Sequence, residues 1–309
     1  MGLGVTMLAS TILQLILHIL ALTQDHEVTV LPGSNAVPPS TIGRVERLAR
    51  AGLARLSPSF PGAHLLGLEI YVHADLESVP ETVREHLQPG IAGLALLDRN
   101  QIYLLVDRAR SQPPGDLRNV VDHELVHMLL HRYVADYSRF VPRWFHEGLA
   151  QDLSGATYLG VSEEDIIVPA KMRRLLRFRD LRTGFPDDDY SLHLAYAQSF
   201  SYVAFLRRKF GLPTLLRAAR AASQDQWFRG GFLAVTGAPL IHQEELWLDY
   251  LENNSGALWR RLQNDCFYYL MIPAAILLAW ATRRAILRDR RSKSRLEHDE
   301  LDDASPNDE

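Results

Sequence analysis

The chain has 309 residues, 47% apolar and 23% charged, a balance that excludes an intrinsically disordered or collagen-like protein. Lys and Arg number 33 against 37 Asp and Glu, a net charge of −4, so there is no global basic field to attract nucleic acid. A single cysteine, Cys266, rules out an internal disulfide framework and any zinc site built from several thiolates.

The apolar residues are unevenly placed. Met1 to Gln24 carries no formal charge with His neutral, and Ile12 to Leu22 is apolar except for Gln14 and His18. Residues 1–24 therefore read as a signal peptide or an uncleaved N-terminal anchor, with Ala21-Leu22-Thr23 only a mediocre cleavage site. Pro32 to Ser40 is a turn-rich connector, and Ser40 or Thr41 can cap a helix running to about Leu56. Leu66 to His73, Ile91 to Leu97 and Gln101 to Asp107 read as strands. The last two are joined by Asp98-Arg99-Asn100 as a hairpin. Helical patterns follow over 117–134, 143–153, 191–210, 213–223 and 242–262. Strands before residue 110 and helices after it predict an α+β domain, a small N-terminal mixed sheet followed by a helical part.

A second apolar block spans 266–282, at the lower limit for a transmembrane helix, with Tyr268, Tyr269 and Trp280 near its ends as interfacial anchors. Seven Arg and Lys follow between 283 and 295, against Asp289 alone. By the positive-inside rule this predicts a single-pass protein of the plasma (inner) membrane, with its C-terminus cytoplasmic and residues 25–262 outside. Residues 283–309 form a basic and then acidic tail with a disordered composition. Removing its seven bases and eight acids leaves 26 against 29, so the remaining chain is nearly neutral.

The chemistry starts at His123-Glu124-Leu125-Val126-His127. Histidines at i and i+4 share one helix face, so two imidazoles can converge on one metal ion, with Glu124 beside them to reach a water. Such a site needs a third ligand from another element. Glu147 follows His127 after 19 intervening residues, enough for one helix to end and another to return beside it. Pro142 suits the first turn of that helix, and Gly148 would let it approach the metal helix. His146 adjoins Glu147 but faces about 100° away on a helix. His131 lies about 12 Å along the axis from His123, too far to share the ion. A metzincin spacing is excluded by Leu130 and Tyr133. Arg118, Asp122, Arg132 and Asp136 make an intramembrane location for the motif untenable.

His-Glu-x-x-His, 19 residues, then Glu147 within Trp144-Phe-His-Glu-Gly-Leu-Ala150 resembles the gluzincin zinc metallopeptidases, more narrowly the bacterial peptidase MA-like domains. The resemblance covers roughly residues 65–250, including Tyr196-Ala-Gln-Ser199 and Trp247-Leu-Asp-Tyr250. It implies a gluzincin-like fold, Zn2+ held by His123, His127 and Glu147, Glu124 as general base and acid, and a peptide or protein substrate. The chain departs from thermolysin-like enzymes at Gln151, where they often carry Asp. A different set of supporting hydrogen bonds is therefore expected.

Other roles follow from what peptide hydrolysis requires. An extended substrate binds a sheet edge through its backbone, and Gly93-Leu94-Ala95 offers small residues at alternating positions for that edge. A donor should stabilise the developing oxyanion, for which Tyr196 and then His193 are candidates. The basic stretch Lys171 to Arg179 is a solvated helix face or a contact for lipid headgroups. A zinc-stabilised, non-catalytic binding or sensor module anchored in the membrane is the alternative, although such a scaffold could dispense with Glu124.

Overall fold

The computed structural model describes residues 26–87, 90–111, 116–155, 160–253 and 271–286. The 1–24 segment, residues 266–270 and the tail beyond 286 lie outside them. The chain divides into two units at Asn253/Asn254. In the second, residues 271–286 form a helix whose side chains are all exposed. Among the described residues no helix is long and apolar enough to cross a membrane.

The first unit opens with a strand that the sequence reading lacks, β1 (Val28–Pro32). It pairs in parallel with β2 (Leu68–His73), which pairs in parallel with β4 (Gln101–Leu105). β3 (Gly93–Leu96) closes the sheet antiparallel to β4, giving the order β1-β2-β4-β3. The expected hairpin is thus β3–β4, turned through a short 3-10 segment and Asn100 in the left-handed region at φ 55°. Alternation sends Leu68, Ile70, Val72, Ile102 and Leu104 into the main core. On the opposite face, Tyr103 and Leu105 are covered by Val79 and Val83 from the segment that includes α2 (Glu81–Arg84).

The crossover from β1 to β2 is α1 (Pro39–Leu56). It begins at Pro39 and has no side-chain cap, so Ser40 and Thr41 lie inside the helix rather than capping it. Val45, Ala49, Leu53 and Leu56 line its buried stripe, spaced by three or four. That stripe packs on α4 (Leu117–Val134), which follows the short α3 (Val106–Ser111). Asp116 caps α4 by accepting from the Arg118 N–H at 3.0 Å. Leu125, Val126, Met128, Leu129 and Leu130 are fully buried, so α4 is a central core helix rather than a surface one. Asp122, 1% exposed, fixes its register on α1 through an ion pair with Arg55, where Gly52 leaves room for the carboxylate.

The helical part is α5 (Arg143–Ser154), α6 (Glu164–Lys171), α7 (Asp189–Phe210), α8 (Leu212–Arg220), α9 (Trp227–Thr236) and α10 (Leu240–Asn253). Of these, α6 and α9 were not foreseen. The helix expected over 242–262 is described as far as Asn253. Helix α5 packs between α4 and α7. A Cβ on Gly148 would meet the Ser199 carbonyl and Val203, so this glycine lets α5 approach α7 and not the metal helix, contrary to expectation. Beyond α6, residues 172–179 form turns and irregular backbone, so the basic stretch is not a helix face. Gln198 holds it by bonding both the N–H and the C=O of Leu176.

Candidate metal centre

Helix α4 projects His123 and His127 from one face toward the start of α5. The two Nε2 atoms stand 3.2 Å apart, and each lies 3.5 Å from Oε2 of Glu147. These three atoms come from the three residues expected to bind metal, and they form the one such cluster among the described residues. A tetrahedral zinc with bonds of about 2.0–2.1 Å requires ligand atoms about 3.3–3.4 Å apart, so the triangle fits the ion. The donor set fits as well, since two imidazoles and one carboxylate leave one position open. The side chains are only 12–16% exposed.

Glu147 is presented by a helix whose first N–H groups are tied to neighbouring chain. Arg143 N donates to the Arg182 carbonyl at 2.8 Å and Trp144 N to that of Leu181 at 3.2 Å. Burial raises the Glu147 carboxyl. The His127 charge, hydrogen bonds from His123 and His127, and Arg143 outweigh it and hold the group well below the usual carboxylate range. Burial likewise opposes protonation of His127, and Glu147 more than reverses this, raising the imidazole above its ordinary value.

Glu124 points from α4 toward β3. A Cβ on Gly93 would sit 2.6 Å from its Oε1, so the Glu124 carboxylate occupies the space a side chain would need. The Ala95 backbone also bonds this carboxylate. Burial pushes Glu124 up from the ordinary carboxylate value, against the lowering effect of His123 and His127. Leu105 N donates to the Ala92 carbonyl at 2.8 Å. Given that pair, antiparallel alternation turns the backbone groups of Gly93 and Ala95 away from β4, toward the free edge beside Glu124.

Tyr196 on α7 is 2% exposed, and Arg143 donates to its hydroxyl. The same guanidinium lies 3.5 Å from Oε1 of Glu147 and 5.1 Å above the Phe185 ring. Tyr196 is thus linked to the centre through Arg143. Sequence reasoning missed Arg143, although its position one turn before Glu147 was available as a signal. His193 is half-buried on α7, one turn before Tyr196. Gln151 is fully buried and donates to the Glu147 carbonyl at 3.3 Å and the Tyr196 carbonyl at 3.1 Å, so it joins α5 to α7.

The rejected histidines lie where their spacing put them. His146 packs at 6.1 Å from the His127 ring, and burial, with His127 adding to it, lowers it to about 3. His131 faces Ser138, with Nδ1 and Oγ 3.0 Å apart.

The sequence model of the peptidase MA superfamily matches residues 49–253, a range that holds β2 to β4 and every residue of the centre. Neither the curated proteins nor the solved structures gave a match. By that family match, over two helices that bring His123, His127 and Glu147 together, the chain belongs to the peptidase MA superfamily.

Proposed function

We propose that the chain is a zinc metallopeptidase of gluzincin type. The carrying observation is the convergence of His123 Nε2, His127 Nε2 and Glu147 Oε2 within 3.5 Å, with Glu124 beside them. Zinc held there would supply Lewis acidity, lowering the pKa of a water to about 7 and polarising a carbonyl. The chain's own residues do the rest. A peptide lies extended along the outward backbone groups of Gly93 and Ala95. Glu124 takes a proton from the attacking water and passes it to the leaving amine, so amide and water become acid and amine. The raised pKa of Glu124 suits both duties. The Tyr196 hydroxyl, held by Arg143, is the first candidate to donate to the oxyanion, with His193 the second.

We place this activity outside the cytoplasm, with residues 1–24 directing export and 266–282 spanning the membrane. The reading is supported by the apolar composition of both segments, the seven bases after the second, and the exposure of Ile272, Ile276, Leu277, Leu278 and Trp280 along 271–286.

Glu124→Gln in the full chain is the test. Zinc stoichiometry should be unchanged, while cleavage of a quenched fluorescent peptide library falls by about 10²–10⁴-fold. Wild-type cleavage by the zinc-loaded variant would defeat the mechanism. Bound zinc in a wild-type chain that cleaves nothing would favour the binding module.

A further inference from the structure

At the end of the β3 edge lies a cavity of about 760 Å³ that the proposed chemistry does not use, lined by Leu97, Asp98, His131, Arg132, Ser138 and Arg139 among others. A chain of contacts links its lining to the centre. The His127 ring packs on His146, the His146 side chain bonds the Ser138 backbone, and Ser138 Oγ meets His131. From Glu124 to His131 is seven residues of α4, about 10 Å at 1.5 Å per residue. From Gly93 to Leu97 is four residues of extended chain, about 13 Å at 3.3 Å per residue. A peptide lying on the outward groups of Gly93 and Ala95 therefore reaches the cavity about three residues from the bond to be cut.

The lining charges select what enters. Arg132 and Arg139 are exposed, and neither has an ion-pair partner among the described residues. Arg139 rests its guanidinium 4.8 Å over the Phe140 ring, which holds it without neutralising it. Among the described lining residues Asp98 supplies the opposing charge, beside His131. Among the described lining residues, two permanent cations against one carboxylate favour a carboxylate side chain over an ammonium one.

We infer that this cavity is a specificity subsite of the proposed peptidase, which accepts an Asp or Glu side chain about three residues from the scissile bond through Arg132 and Arg139. The inference rests on the peptidase reading for cleavage, but not for binding.

Its test uses the full zinc-loaded chain and quenched fluorescent peptides carrying Asp, Glu, Gln or Lys at each of four positions on either side of the cut. Wild type should prefer Asp or Glu to Lys by roughly fivefold to tenfold in kcat/KM at one position, an advantage that shrinks with added salt. Arg132→Ala with Arg139→Ala should abolish the preference, Arg132→Glu with Arg139→Glu should invert it, and Asp98→Asn should strengthen it. All three side chains are exposed, so folding should be unaffected. Equal cleavage of acidic and lysine peptides at every position, or a preference that survives the double alanine variant, overturns the inference. In parallel, anisotropy of the same labelled peptides is read on wild type and the double variant. If nothing is cleaved, the peptidase reading fails by itself, and acid-selective binding lost in the double variant still supports the subsite. Binding without that selectivity overturns it.

Discussion

Arg143 Nε lies 3.5 Å from Oε1 of Glu147, one turn along the same helix, while the Nε2 atoms of His123 and His127 both face Oε2 at 3.5 Å. The two oxygens of one carboxylate are thus divided between a guanidinium and the ligand triangle. Arg143→Ala should release Oε1 and weaken zinc retention by about tenfold to a hundredfold, the range typical of lost support to a ligand. Competition with a chromophoric chelator measures this, and unchanged affinity in a folded variant would remove Arg143 from the centre. Arg143→Lys should recover only part of the loss, because an ammonium is a point donor and cannot also serve Tyr196 in the same geometry.

Gly93 is in β3, yet its side-chain space is filled by Glu124. Gly93→Ala should displace the carboxylate by about 1 Å, which costs on the order of a hundredfold in kcat. Zinc content should not change, since the proposed ligands come from α4 and α5. Equal kcat in the alanine variant would mean that Glu124 has another position from which to work.

Gln151 stands where the resemblance to thermolysin-like enzymes leads one to expect Asp, and its amide bridges two helices. Gln151→Leu should destabilise the fold by about 1–3 kcal/mol, the cost of lost buried hydrogen bonds, read as a lower urea midpoint. Gln151→Asp should be worse, because a carboxylate would face two carbonyl acceptors. An aspartate variant as stable as wild type would show that the site has a donor for it.

His73 is 2% exposed, stacks on Tyr103 at 5.8 Å, and has Nε2 buried without a hydrogen-bond partner among the described residues. Burial lowers its pKa, against the opposing effects of Ser78 and Asp75. Below about pH 6.5 the unfolded chain then binds a proton that the folded chain refuses. Stability from this group is full above that pH and is lost as pH falls toward the lowered folded value. His73→Leu should flatten this part of the stability profile in the metal-free protein, measured as urea midpoints between pH 7 and 5. An unchanged slope would assign the acid sensitivity elsewhere.

Much of the helical architecture was legible because helix periodicity is a local property. The i, i+4 histidines of α4 and the Pro142 start of α5 depend on residues a few positions apart. Strand β1 was missed because Val28 to Pro32 is short and merges with a turn-rich connector. What makes it a strand is pairing with β2, forty residues downstream. The partner of Gly148 was misassigned for a related reason. A glycine announces a close approach but not which neighbour makes it, and α7 begins only at Asp189.

Composition alone established an overall charge near neutral, a chain with too few cysteines for a thiolate site, and two uneven apolar blocks at 1–24 and 266–282. Sequence spacing went further and named the candidate ligand set, since two imidazoles one turn apart and a glutamate on a returning helix follow from 3.6 residues per turn and chain reach. Which carboxylate oxygen faces the histidines, that Arg143 takes the other, and that Gly93 makes room for Glu124 were decided by tertiary structure. Those relationships depend on the packing of α4 against β3, α5 and α7, and contacts between elements so far apart in sequence have no local pattern from which to read them.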